Sequence, residues 1–206
     1  MHPGCTACRA CGGSVALLVL GLLLGAVACT PSQHDPAQFG TVRVYVSALW
    51  RPADAARVRE ALPRVAALGP AVVETQDSAA ADVIVRPWES PGCAGAGAGA
   101  GAGRHVVGTR YADVDPTCAA GDDAFAAFVL HEIGHALGMA HVCTIADDSA
   151  PGDPCSPVGR GVAVMNRSPF AKPPGWTERV AVDRFTSLDL AEFRRARTAA
   201  DGDAGR

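Results

Sequence analysis

The sequence predicts an α+β domain, because patterns typical of strands and patterns typical of helices occur along one stretch of chain. Residues 41–50 alternate apolar and polar side chains, as in a strand with one buried face. Residues 52–68 instead repeat apolar side chains at helical spacing, and another apolar helical pattern begins near Asp122. The chain has 206 residues and is 49% hydrophobic, which is enough for one domain with a substantial core.

The first predicted helix is followed by two predicted strands. Pro52 favours a helix start, whereas Pro63 predicts a kink or an earlier end. The apolar positions of this helix are Ala55, Val58, Leu62, Val65 and Ala66. Short apolar runs at 71–75 and 82–87 predict the two strands.

A Gly–Ala alternation over 94–103 separates these strands from the rest of the domain. Such a composition cannot build a packed core, so we expect a slack surface loop rather than a mobile flap beside a cleft. Residues 105–112 are a fourth strand candidate. A fifth strand would have to be short, or merged into the stretch that runs through Asp115.

Two helices complete the predicted domain. The first begins near Asp122, whose carboxylate is expected to cap the free amide groups. Its apolar face consists of Ala124, Phe125, Phe128 and Val129. A loop rich in Pro, Gly and Asp follows over 147–161, and Thr186 is expected to cap a last helix at 188–197. The polar residues 199–206 are predicted to form a disordered tail.

Three of the six histidines fall within eleven residues at the end of the first of these helices. His131 and His135 are one turn apart, so both imidazoles can bind one metal ion, and Glu132 can hold and deprotonate a water molecule there. Gly138 allows the backbone to leave the helix with a positive φ and to deliver His141 as a third ligand. Three nitrogen ligands leave one open position, which is typical of catalytic zinc. Ordinary core or surface histidines would not explain why the pattern continues past the helix end.

The run His131-Glu132-x-x-His135-x-x-Gly138-x-x-His141 resembles the zinc-binding signature of the metzincin metallopeptidases. Met165, in the segment 161–166, resembles the methionine of the Met-turn that underlies the zinc ligands in that family. Core packing would be the ordinary explanation of a lone Met. Its place after the third histidine, in a chain with three Met, favours the Met-turn.

The resemblance implies a zincin-like fold: a twisted, mostly parallel sheet of four to five strands, an active-site helix and a C-terminal helix. The compact length and the strand at 81–86 are most similar to a matrixin-type catalytic domain, here 41–198. The resemblance also implies that an edge strand aligns extended substrate by strand addition, and 105–112 is the candidate for it.

The sequence departs from the family pattern at two places. Val142, directly after the third histidine, matches none of the residues that separate the subfamilies. Only Tyr45 and Tyr111 occur, so no tyrosine follows Met165 as an extra ligand or oxyanion donor. Oxyanion stabilisation would therefore depend on zinc and on backbone amides. No propeptide with a cysteine switch is visible before the domain.

The N-terminus is predicted to direct export. Residues 1–28 contain an apolar stretch too short to span a bilayer and resemble a signal peptide. Cys29 follows at the position of the lipidated cysteine of bacterial lipoproteins, ahead of a polar tether 29–40. We expect an outer-membrane lipoprotein, with plain secretion after cleavage near Ala28 as the alternative.

The cysteine count fits an oxidising compartment. Cys5, Cys8 and Cys11 would be removed with the leader, and lipidation would occupy Cys29. The remaining four allow three pairings. Pairing of sequence neighbours gives Cys93–Cys118 and Cys143–Cys155; free thiols, or metal ligation by Cys143, are the alternatives.

These observations predict a zinc-dependent endopeptidase that acts on protein or peptide substrates, with one catalytic Zn²⁺. Glu132 would act first as base and then as acid. Ca²⁺ carries no signal in the sequence, and we expect a monomer. The net charge of −3 offers no footprint for nucleic acid. The alternatives are a catalytically weak zinc-binding surface module and a zinc hydrolase acting on a non-peptide amide.

Overall fold

The sheet is the element that orders the domain in the computed structural model, which describes residues 40–88, 103–104, 110–119, 121–145, 155–167, 170–171 and 180–203. Its five strands are β1 (Thr41–Val46), β2 (Ala71–Glu74), β3 (Val83–Pro87), β4 (Gly103–Arg104) and β5 (Tyr111–Val114). They lie in the order β2-β1-β3-β5-β4. Four strands are parallel, and β4 runs antiparallel to β5 along one edge. The predicted α+β class with a mostly parallel sheet is therefore confirmed.

In the described ranges three α-helices accompany the sheet: α1 (Pro52–Ala61), α2 (Asp122–Ala136) and α3 (Ser187–Asp203). A 3₁₀ segment, Leu62–Leu68, continues α1. Pro63 explains the change from α-helix to 3₁₀-helix, because proline has no backbone N–H to donate and its ring clashes with the carbonyl four residues earlier. Short elements complete the described residues, namely the 3₁₀ turn Pro116–Cys118 and the antiparallel pair of β6 (Phe170–Ala171) and β7 (Val180–Ala181). Across the described residues, no helix is long and apolar enough to cross a membrane.

The core lies between one face of the sheet and the helices α1 and α2. Alternate residues of β1 are fully buried, which agrees with the predicted alternation. Helix α2 is buried from Ala124 to its last turn, so it is a central helix rather than a surface one. The ring of Phe125 packs edge-on against Trp50, with centroids 5.9 Å apart, and under the guanidinium of Arg57.

Two strand predictions require correction. The predicted strand 41–50 ends at Val46, because Trp50 donates its amide hydrogen bond to Ser47 O in a turn before α1. Residues 105–109 of the candidate edge strand 105–112 lie outside the described residues, and its end, Tyr111 and Ala112, does not lie at an edge. Strand β5 begins at Tyr111 and lies inside the sheet between β3 and β4. Among the described strands, the edge is the short strand β4, which begins at the last residue of the predicted Gly–Ala loop.

Two helix-end predictions also differ from the structure. Asp122 does not cap α2: Gly121 is the N-cap residue, and the Asp122 carboxylate accepts a hydrogen bond from Arg57 Nε at 2.8 Å. Helix α3 begins close to its predicted start but extends to Asp203, into the tail 199–206 expected to be disordered. Ala199 and Ala200 are good helix formers and favour the extension as far as residue 200. The predicted leader 1–28, Cys29 and the tract 94–102 lie outside the described residues.

Replacing Phe125 by Ala should destabilise the domain by about 3–5 kcal/mol, because the ring projects from α2 and is fully buried against Arg57 of α1 and Trp50. Urea unfolding monitored by circular dichroism measures this change. Leu49→Ala is the matched control, since Leu49 is 76% exposed and should change the free energy of unfolding by less than about 0.5 kcal/mol. Equal losses in the two variants would contradict the assigned core.

Candidate metal centre

The C-terminal end of α2 sets the path of the chain through the site. Gly138 has a φ of 85°, a left-handed conformation that glycine adopts without strain. The amide of Gly138 bonds to His135 O at 2.9 Å, and the amide of Met139 bonds to Gly134 O at 3.0 Å. These two bonds form a Schellman motif, which satisfies the last helical carbonyls and turns the chain back. His141 follows three residues after the turn.

The three histidines converge on one point. The Nε2 atom of His135 lies 3.0 Å from that of His131 and 3.2 Å from that of His141. All three side chains are buried, and their donor atoms lie within 4.8 Å of one another. The structure therefore brings together the three residues that the sequence selected as ligands.

Hydrogen bonds at the other ring nitrogens fix which atoms face the centre. His131 Nδ1 donates to Val164 O at 2.7 Å, and His135 Nδ1 donates to Met139 O at 2.9 Å. Because a carbonyl only accepts, Nδ1 carries the proton and Nε2 carries the lone pair in each neutral ring. Lone pairs this close repel one another unless a cation lies between them. The donor set therefore fits Zn²⁺, which favours imidazole nitrogen in a tetrahedral site.

Glu132 supports the same conclusion. Its side chain is 3% exposed, and its Oε2 has no hydrogen-bond partner among the described residues. Burial, together with the nearby negative charge of Asp113, raises the pKa of the Glu132 carboxyl to about 8. A divalent cation on the adjacent rings would offset that cost and favour the ionised carboxylate.

Asp113 is itself held by an ion pair. Arg86, its register partner on β3, donates Nε to Oδ1 at 2.7 Å and Nη2 to Oδ2 at 2.8 Å. The side-chain hydrogen bonds to Asp113 raise the pKa of Arg86. The guanidinium also stacks 3.9 Å from the centre of the Tyr111 ring. The sheet therefore carries a fixed charge pair beside the helix that bears the histidines.

Met165 packs directly beneath α2. A Cβ atom added at Gly134 would lie 2.3 Å from Met165 Sδ, so the glycine is needed for this close approach. The carbonyl of Val164 accepts the hydrogen bond from His131 Nδ1. The carbonyl of Met165 accepts a hydrogen bond from the amide of Val142 at 2.8 Å. The segment predicted as a Met-turn therefore contacts both the helix and the chain after His141. Sequence reasoning missed the role of Gly134.

Two further residues that hold this turn were missed. Asn166 Nδ2 donates to Val142 O at 2.7 Å, and its Oδ1 accepts the amide of Ala163 at 2.8 Å. Asp189 on α3 accepts the amides of Val164 and Met165 at 3.0 and 2.9 Å. Burial raises the pKa of Asp189, while hydrogen bonds from Thr186, Met165 and Val164 oppose the rise. The Thr-x-x-Asp spacing of a helix start was the available signal, but it gives no hint of the turn.

A disulfide joins Cys143 to Cys155, with Cα atoms 5.4 Å apart, as sequence-neighbour pairing expected. Cys143 is therefore not a metal ligand. Cys118 is also disulfide-bonded. Its expected partner Cys93, like the candidate lipidation site Cys29, lies outside the described residues.

Comparisons with known proteins give a limited result. No protein-family model matches the chain, and no curated protein matches it. Two structures of myroilysin are similar at 12% identity, with TM-scores of 0.49 and 0.46. They cover 77% and 76% of this chain and 84% and 92% of their own chains. High choriolytic enzyme 1, a hatching enzyme zinc-protease from the medaka fish Oryzias latipes, is 11% identical with a TM-score of 0.42, covering 78% of this chain and 89% of its own. Similarity at this level does not assign a family, so function has to be inferred from the histidine site.

Gly134→Ala should destabilise the protein by about 1–3 kcal/mol, because the new methyl group must displace Met165. Helix propensity alone predicts the opposite sign, a gain of about 1 kcal/mol. Urea unfolding distinguishes the two. Gly40→Ala is the control, since no atom lies within 4 Å of its added Cβ.

Combining Met165→Ala with Gly134→Ala tests whether the clash with Met165 causes the loss of stability. It should cost less in the Gly134→Ala background than in the wild type, because the clash is then relieved. Additive losses would show that the two residues do not interact.

Proposed function

We propose that the chain is a zinc-dependent endopeptidase that hydrolyses peptide bonds in protein or peptide substrates. The observation that carries the proposal is the convergence of three imidazole Nε2 atoms beside a buried carboxylate with an unpartnered oxygen. A closed structural site would use four protein ligands. A site meant only to hold metal has no need of the Glu132 carboxylate.

His131, His135 and His141 would hold one zinc ion through Nε2. Zinc bound there supplies Lewis-acid polarisation of a substrate carbonyl and lowers the pKa of a water molecule. The backbone carbonyls at Val164 and Met139 keep two of the rings in the required tautomer.

Glu132 is the proposed general base and acid. Its Oε2 takes the proton of the attacking water and later gives that proton to the leaving amine. The lack of a hydrogen-bond partner leaves this oxygen available, and the helix α2 keeps it next to the first ligand.

Substrate is proposed to bind in an extended conformation along β4. Among the described strands, β4 pairs with β5 alone and so forms an edge of the sheet. Edge strands bind extended peptide through main-chain hydrogen bonds, with no need of a particular side chain at every position. We further propose that the catalytic domain is of the compact matrixin type, an interpretation supported by its short length.

The protein is proposed to be exported and monomeric. Disulfide bonds at Cys118 and between Cys143 and Cys155 favour an oxidising compartment. Within that compartment we propose attachment to the outer membrane through lipidated Cys29. Mass spectrometry of the mature N-terminus tests the lipid directly.

Glu132→Gln should lower peptide-cleavage kcat by about 10²–10⁴-fold while leaving bound zinc unchanged, because the amide cannot accept the proton. The full chain and its variants are compared on a mixed peptide library, with zinc measured by atomic emission. Glu60→Gln is the matched control, because Glu60 is exposed on α1.

Three results would contradict the proposal. Absence of zinc from the wild type would contradict the assignment of the metal site. Zinc without cleavage by the wild type would favour the surface-binding module. Cleavage confined to small non-peptide amides would favour a different hydrolase.

A further inference from the structure

Helix α3 carries a second buried carboxylate, three residues after Asp189. The Glu192 side chain is fully buried, and Arg195 on the next turn donates Nε and Nη2 to its two oxygens, each at 2.6 Å. The guanidinium offsets the cost of burying the negative charge. The proposed reaction makes no use of Glu192, so its contacts need another explanation.

The remaining contacts of Glu192 are with Ala140, directly before His141, and with Ser156, which bonds to the backbone of His141. Its Oε1 accepts the amide of Ala140 at 2.8 Å, and its Oε2 accepts the hydroxyl of Ser156. The amide of Ser156 in turn donates to the carbonyl of His141 at 2.8 Å. One carboxylate therefore holds the residue before the third histidine directly and holds the histidine backbone through Ser156.

The four groups around the carboxylate are all donors: the Ala140 amide, the Ser156 hydroxyl and two guanidinium N–H groups of Arg195. Only an ionised carboxylate accepts four such bonds, and bonds to a charged acceptor are about twice as strong as neutral ones. An amide at this position would turn one N–H₂ group toward other donors. The chemistry of the cluster thus requires Glu rather than Gln.

The third histidine is the ligand that needs this support. His131 and His135 lie within α2, whose own hydrogen bonds fix their backbones. His141 lies beyond the helix end, where the chain has no helical hydrogen bonds to fix it. Its position relative to the other two rings therefore depends on contacts with distant segments.

We propose that Glu192 is a positioning residue that holds His141 within reach of the ion bound by His131 and His135. This inference rests on the proposed zinc site. Residues that orient a metal ligand without touching the metal change metal affinity by about 10–100-fold when they are altered. Ser156 links Glu192 to the His141 carbonyl in a hydrogen-bond relay, so it transmits part of the effect of Glu192 on the position of His141.

The test compares the full chain with Glu192→Gln, Ser156→Ala and the double variant. Glu60→Gln, exposed on α1, is again the control. Zinc affinity is measured by competition with a chromophoric chelator, and the visible spectrum of the Co²⁺-substituted protein reports ligand geometry. Urea unfolding of the zinc-free proteins separates stability from metal binding.

We expect Glu192→Gln to weaken zinc binding about 10–100-fold and to change the Co²⁺ spectrum, with Ser156→Ala showing a smaller loss. Ser156→Ala should cost less in the Glu192→Gln background, because both changes break one relay. Glu60→Gln should match the wild type. A residue with only a structural role would lower the urea midpoint without altering the spectrum.

Wild-type zinc affinity and an unchanged Co²⁺ spectrum in Glu192→Gln would overturn the inference. Should that variant fail to fold, the same two results in folded Ser156→Ala would overturn it. A wild type without zinc would overturn this inference and the proposed function together. A wild type that binds zinc but cleaves no peptide, with the expected losses in the variants, would overturn the proposed function and support the positioning role.

Discussion

The close approach of Met165 to Gly134 is the contact on which the rest of the site depends. It brings the turn 163–166 against the helix, and the neighbouring backbone groups then reach their partners. The carbonyl of Val164 meets the His131 ring, and the carbonyl of Met165 meets the amide after His141. The turn 163–166 thus links His131 on the helix to the chain that follows His141. A side chain at 134 would have to displace the buried thioether of Met165.

The convergence of the three histidines was predictable because its signal is local. His131, His135 and Glu132 are fixed relative to one another by helix geometry, and the positive φ of Gly138 follows from its chemistry. Apart from Met165, the groups that support the site were not predictable. Asn166 contacts Val142, which is 24 residues away, and Glu192 contacts Ala140, which is 52 residues away. In the sequence both look like ordinary solvent-exposed polar residues.

The fold shows the same division between local and distant determinants. Among the described elements, alternation and helical spacing located the starts of strands β1 to β3 and of helices α1 to α3 to within a few residues, because each pattern reflects the burial of its own residues. Alternation does not state which strand is a neighbour, so β5 was placed at the edge that β4 occupies. Asp122 had the chemistry of a cap, but Arg57, distant in sequence, competes for its carboxylate.

The position of α3 in the chain has a consequence for the order in which the site forms. The carboxylates of Asp189 and Glu192 are synthesised after every histidine and after the Met165 turn. A nascent chain that ends before α3 therefore carries the three histidines without the groups that fix the turn and the backbone next to His141. The proposed hydrolytic centre would thus be complete only after this last helix has packed, so it would stay inactive until α3 has been synthesised.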